Sequence, residues 1–96
     1  VGGERLVGRL EGPDGTTLAV RLYERPGCHL CEEALDNLAE VARTVPLHLE
    51  RCDITSRPDW YERYRERIPV LACGGREVGA PLDASRIAAF LRGVRP

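Results

Sequence analysis

Cys28 and Cys31, spaced as Cys28-His29-Leu30-Cys31, stand where an alternating aliphatic run, Thr17 to Tyr23, gives way to a helical pattern. Two thiols at that spacing can pass electrons as a dithiol–disulfide couple. The first sulfur falls beside unpaired backbone N–H groups at a helix start, which favour thiolate over thiol. The second lies one turn on, within disulfide reach without large backbone movement. Cys52 and Cys73 end strand-like runs instead and read as inert packing residues, too far apart in strand order to pair.

The elements that must hold this pair follow from hydrophobic period. Leu18, Val20 and Leu22 alternate on one face of the first strand. Cys31, Leu35, Leu38, Ala42 and Val45 then recur at helical steps, with Glu32, Asp36, Glu40 and Arg43 on the wet side and Pro46 as the expected stop. On this stripe Cys31 is sheltered, while Cys28 precedes the helix and is accessible. Leu47 to Glu50 alternates as a second strand, and Arg51-Cys52 breaks its period. Pro58 and Asp59 open a second helix, on which Trp60 and Tyr64 share a face.

Val70 to Cys73 and Arg76 to Val78, joined by Gly74-Gly75, predict a hairpin. Asp83 caps a last helix carrying Ile87, Phe90, Leu91 and Val94. The order is β-α-β-α-β-β-α. Right-handed crossover makes the first two strands parallel and the hairpin adds an antiparallel pair. The expectation is an α/β domain over residues 17–96. Residues 1–16 form an N-terminal extension or an extra strand around Leu6, Val7 and Leu10, with a turn at Pro13-Asp14-Gly15.

Composition narrows the chemistry. All fourteen basic residues are arginine, which excludes Schiff-base lysine and the P-loop lysine. Net charge is -1, so bulk electrostatics argues for neither nucleic acid nor an anionic membrane. No apolar run approaches the ~20 residues of a membrane span. Nucleotide, zincin and serine-hydrolase motifs are missing. A cytoplasmic monomer is the expectation, and there a C-x-x-C reads as redox or metal-binding.

The strand order, the C-x-x-C closing the first strand, and Arg67-Ile68-Pro69-Val70-Leu71 together resemble the glutaredoxin branch of the thioredoxin superfamily over Thr17 to Arg92. The stretch Tyr23 to Ala34 is most similar to small bacterial glutaredoxin-like proteins with a C-H-L-C tetrad. The resemblance implies a thioredoxin fold: a four-stranded mixed sheet with helices on both faces. It makes Cys28 the nucleophile, Cys31 the resolving thiol and Pro69 a cis-proline packed against them. Ile68 would offer backbone groups to a bound peptide or glutathione. Arg25 would favour the thiolate and meet a glutathione carboxylate, which Arg65 and Arg67 would also bind. Asp83 would meet the glutathione amine.

Two departures loosen the tie to glutathione. His29-Leu30 replaces the Pro-Tyr of typical dithiol members, removing an aromatic wall. Pro81 stands where a backbone N–H would receive a carboxylate.

The implied activity is reduction of protein disulfides or glutathione mixed disulfides, with a reductase or small thiol as electron donor. No tightly bound cofactor is expected, with glutathione as a co-substrate at most. His29 and Arg25 lower the Cys28 pKa, and Glu32 and Glu33 oppose them. The alternatives are a thioredoxin-fold binding module with little turnover, or zinc or iron–sulfur binding through Cys28, His29 and Cys31. The latter lacks a fourth ligand at ribbon spacing.

Overall fold

Alternation along the first long strand is the plainest instruction in the chain, and the computed structural model, which describes residues 5–6 and 17–94, follows it. Strand β1 (Arg5–Leu6) is a two-residue edge, and β2 (Leu18–Glu24) runs down the middle of the sheet. Helix α1 (His29–Val41) leads to β3 (Leu47–Asp53), then a 3₁₀ turn (Ile54–Ser56) and α2 (Pro58–Tyr64). Strands β4 (Val70–Cys73) and β5 (Arg76–Gly79) form the hairpin, and α3 (Ala84–Val94) closes the chain. The expected strand positions Val7 and Leu10 and the turn at Pro13-Asp14-Gly15 lie outside the described residues.

The sheet order is β1-β3-β2-β4-β5. Strand β3 runs parallel to β2, as a right-handed crossover requires, and β4 runs antiparallel to β2. To this mixed four-stranded sheet Arg5 and Leu6 add antiparallel pairing with Glu50 and Leu49. Gly74 and Gly75 have φ of 59° and 79°, the left-handed pair a two-residue hairpin turn needs.

Each face of the sheet has its own core. Val20, Leu22, Leu47, Leu49 and Leu71 meet Ala34, Leu38 and Val41 of α1 and Ile87 and Leu91 of α3. Tyr23, Cys52 and Val70 meet Ile54, Tyr64 and the flank of Trp60 on the α2 side. A fully buried leucine contributes about 1.5–3 kcal/mol, so the larger α1–α3 face dominates. The fold is thus thioredoxin-like, with α1 and α3 on one face and α2 on the other.

Three local expectations need correction. The buried side of α1 is Cys31, Ala34, Leu38 and Val41, followed by Ala42; of the expected stripe Cys31, Leu38 and Ala42 are buried, while Leu35 and Val45 are only half-buried against the core. Helix α1 also ends well before Pro46. The Arg43 N–H donates to the Glu40 carbonyl at 3.2 Å and that of Thr44 to Val41 at 3.0 Å, tightening the last turn before proline is reached. Strand β3 does not break at Arg51 but runs to Asp53. Arg51 occupies an inward position, and Glu24 on the neighbouring strand neutralises it there, with Nε to Oε2 at 2.7 Å.

Candidate active site

Strand β2 delivers the chain to the start of α1 through Arg25-Pro26-Gly27. Gly27, at φ 77°, supplies the left-handed step that turns strand into helix. Cys28 is then the N-cap, with extended backbone, and its Sγ accepts the Cys31 backbone N–H at 3.1 Å. An N–H that donates to sulfur here stabilises negative charge on that sulfur when the pair is reduced. Cys28 and Cys31 are joined as a disulfide, with Cα atoms 5.2 Å apart. Cys28 is half-buried, while Cys31 is 1% exposed against the core. The asymmetry of an accessible and a sheltered sulfur is therefore present in the structure.

The sheet register brings the remaining residues near this end. Tyr23 pairs with Val70, and Val70 with Gly79. The next residues outward are Glu24, Pro69 and Ala80, so all three lie at the end of the sheet from which the chain leaves β2 for Cys28. Pro69 is fully buried and its bond to Ile68 is cis, as is the Ala80–Pro81 bond. The Ile68 N–H donates to the Tyr64 carbonyl at 3.1 Å.

Other residues singled out by sequence have partners within the chain. The His29 Nε2 lies 2.9 Å from Glu33 Oε2, both exposed. Arg67 donates to Glu77 Oε1 at 3.1 Å and sits over the Tyr64 ring. Arg65 lies 3.7 Å from Glu66 and over the Tyr61 ring. Asp83 Oδ1 accepts the Arg86 backbone N–H at 2.8 Å, capping α3. Arg25 is exposed and has no ion-pair partner among the described residues.

Three carboxylates have partners that went unread in the sequence. Glu24 is the buried charged side chain among the described residues, at 7% exposure, and Arg51 grips it through a second contact at 3.3 Å. Its signal was present: Glu24 and Arg51 both fall on inward positions of adjacent strands. Glu33, the partner of His29, was read only as an opposing charge. Glu77 was not singled out at all. The Tyr64 hydroxyl donates to its Oε2 at 2.6 Å, and that bond, helped by Arg67 and Arg63, holds the carboxyl below its ordinary range.

The other cysteines face away from this chemistry. Cys52 is fully buried, and desolvation first, then the Glu50 charge, pushes its thiol up to about 11. Cys73 is raised by desolvation as well. Among the described residues no group of three or more His, Cys, Asp or Glu is placed to hold a metal ion. A cavity of about 900 Å³ opens on the α2 face, lined by Ala19, Arg21, His48 and Glu50. It extends toward the hairpin turn, away from Cys28, so the chemistry and not the size of the cavity locates the site. No helix among the described residues is long and apolar enough to cross a membrane.

Comparison with known proteins agrees with this geometry. A search of curated proteins finds no match. Structural genomics target protein XcR50 from X. campestris is 35% identical, covering 77% of this chain and 96% of that one, at a TM-score of 0.68. The Trx4 domain of ERdj5 is 19% identical, covering 82% of this chain and 80% of its own at a TM-score of 0.57, a likeness of fold alone. The family model "Glutaredoxin-like domain (DUF836)" matches residues 19–92, which include both cysteines of the C-x-x-C and Pro69. The chain therefore belongs to the glutaredoxin-like family of the thioredoxin superfamily.

Proposed function

We propose that the protein is a thiol–disulfide oxidoreductase in which Cys28 attacks and Cys31 resolves. One observation carries the reading: Cys28 Sγ caps α1 and accepts the Cys31 N–H, while Cys31 is closed off behind it. In the reduced protein the Cys28 thiolate attacks one sulfur of a client disulfide. That forms a mixed disulfide and releases the other client sulfur as a thiolate. Cys31, losing its proton, attacks Cys28 Sγ, releases the second client thiol and leaves the Cys28–Cys31 disulfide. Two electrons have moved to the client, and a reductase or small thiol returns them.

Clients of this step are protein disulfides or glutathione mixed disulfides, with glutathione a co-substrate rather than a bound cofactor. The protein acts as a monomer on these partners, with no part for nucleic acid or membrane. Free Cys52 and Cys73 suit a reducing, cytoplasmic setting. Reduction of insulin, followed with dithiothreitol as donor, tests the proposal against Cys28→Ser. Turnover is expected to vanish in the variant, and equal rates would overturn the assignment. Thiolate absorbance of the reduced protein supplies a second test, with Cys28 expected to ionise below the ordinary ~8.5.

A further inference from the structure

Two basic side chains flank Cys28 in the chain, and the structure treats them differently. Arg25 is exposed and has no ion-pair partner among the described residues. His29 is exposed too, with 80% of its side chain open to solvent, yet its Nε2 is held 2.9 Å from Glu33 Oε2. The contact joins the first and fifth residues of α1, which share one face of the helix. Side chains on a helix lean toward its N-terminus. His29 therefore leans toward the Cys28 end, and Glu33 reaches back one turn to meet it.

That contact matters to the neighbouring sulfur. A neutral imidazole has one N–H, and a carboxylate only accepts, so the N–H of His29 is committed to Glu33. A protonated imidazole would have its charge offset by the same carboxylate. Cys28 Sγ takes its hydrogen bond instead from the Cys31 backbone N–H at 3.1 Å. The disulfide has no thiolate and the dithiol does. Whatever stabilises the Cys28 thiolate therefore favours the reduced protein and makes the couple a weaker electron donor.

We infer that Glu33 is a positioning residue that withholds His29 from the Cys28 sulfur and thereby keeps the Cys28–Cys31 couple the better electron donor. The inference rests on the oxidoreductase reading and adds the direction in which the site is biased. Glu33 takes no part in the bond changes. Glu32 provides an internal control: it lies in the same turn, exposed, with no ion-pair partner among the described residues. It carries the same charge without the imidazole.

Equilibration with glutathione at neutral pH reads the bias. Two glutathione thiols give two electrons and two protons to the Cys28–Cys31 disulfide. The protein S–S bond breaks, and one glutathione disulfide forms. Acid quenching, thiol alkylation and mass detection give the equilibrium constant for wild type, Glu33→Ala and Glu32→Ala. The same two substitutions are repeated in a His29→Ala background. Glu33→Ala is expected to shift the constant about threefold toward reduced protein, the scale of one exposed contact across a helix turn. Glu32→Ala should shift it less than half as much. In the His29→Ala background the two should have equal effects.

An unchanged or lowered constant in Glu33→Ala would overturn the positioning role. So would an equal shift in Glu32→Ala, or a Glu33→Ala shift that persists in full without His29, because either would leave charge alone as the cause. If the wild-type disulfide is reduced by neither glutathione nor dithiothreitol, the oxidoreductase reading itself fails and this inference falls with it.

Discussion

Cys28 and Cys52 are the same amino acid at neighbouring ends of parallel-running segments, and the protein makes opposite things of them. Cys28 stands just beyond the end of β2, half-open, with a helix N–H aimed at its sulfur at 3.1 Å. Cys52 sits one strand over, beside Tyr23 in register, closed behind α2 and near the Glu50 charge. One environment offers a backbone donor to a thiolate. The other offers desolvation and a like charge, and raises the thiol to about 11. Reactivity of a cysteine is thus a property of the element that ends beneath it rather than of its strand neighbours.

Alkylation should show the widest gap between the two. Reduced native protein treated with iodoacetamide at neutral pH is expected to label Cys28 on the order of a thousandfold faster than Cys52, from thiolate fraction alone. Peptide mass mapping over time would reveal it, and comparable rates would erase the contrast.

Alkali should sharpen the contrast next. Because the folded Cys52 pKa is raised from 9.0 to about 11, its contribution is fully present below 9.0 and is lost as pH rises toward 11. Across that window the wild type should lose about 2 kcal/mol more stability than Cys52→Val. Parallel denaturant melts would show identical slopes if the thiol did not matter.

Serine swaps come third. Cys52→Ser places a more polar hydroxyl in a closed apolar site and should cost about 1–2 kcal/mol. Cys28→Ser, compared in the reduced state, should cost under about 0.5 kcal/mol, because serine caps a helix well. Urea melts that reversed this order would contradict the environments described.

The narrowest test concerns the wall around Cys52. Tyr64→Phe removes a donor from Glu77 and should cost about 1 kcal/mol. Glu77 is held below its ordinary 4.5, so its contribution is present above that value and is lost as pH falls through the folded pKa. Acid melts of the variant should therefore be flatter than those of the wild type, and an unchanged acid limb would argue that Arg67 and Arg63 alone set the shift.

Particular residues show how far the fold could be read ahead. Leu18, Val20 and Leu22 betrayed β2 because period two with one buried face is a local signal. Gly74-Gly75 betrayed the hairpin because only such residues take both left-handed conformations cheaply. The α1 stripe was legible in part: Cys31, Leu38 and Ala42 are buried as expected, but Ala34 and Val41 are buried where Leu35 and Val45 were expected. Alanine at position 34 is small enough to lie against the sheet, and its contact is settled by packing rather than by hydrophobicity. Arg51 looked like a strand break for the same kind of reason, since Glu24 is distant in sequence and adjacent only across the sheet.

The sequence by itself determined the dithiol, its place at a strand-to-helix junction and the accessible–sheltered asymmetry, because spacing and helical period act over a few residues. Only the tertiary structure decided what surrounds that dithiol. Whether Arg67, Arg65 and Asp83 face a ligand or their own chain depends on Glu77, Glu66 and the cap of α3, and strand register puts Pro69 and Ala80 at the Cys28 end of the sheet. Those are contacts between side chains far apart in sequence or turned by a helix end. Coulomb attraction and burial settle them only once the backbone has brought the partners together.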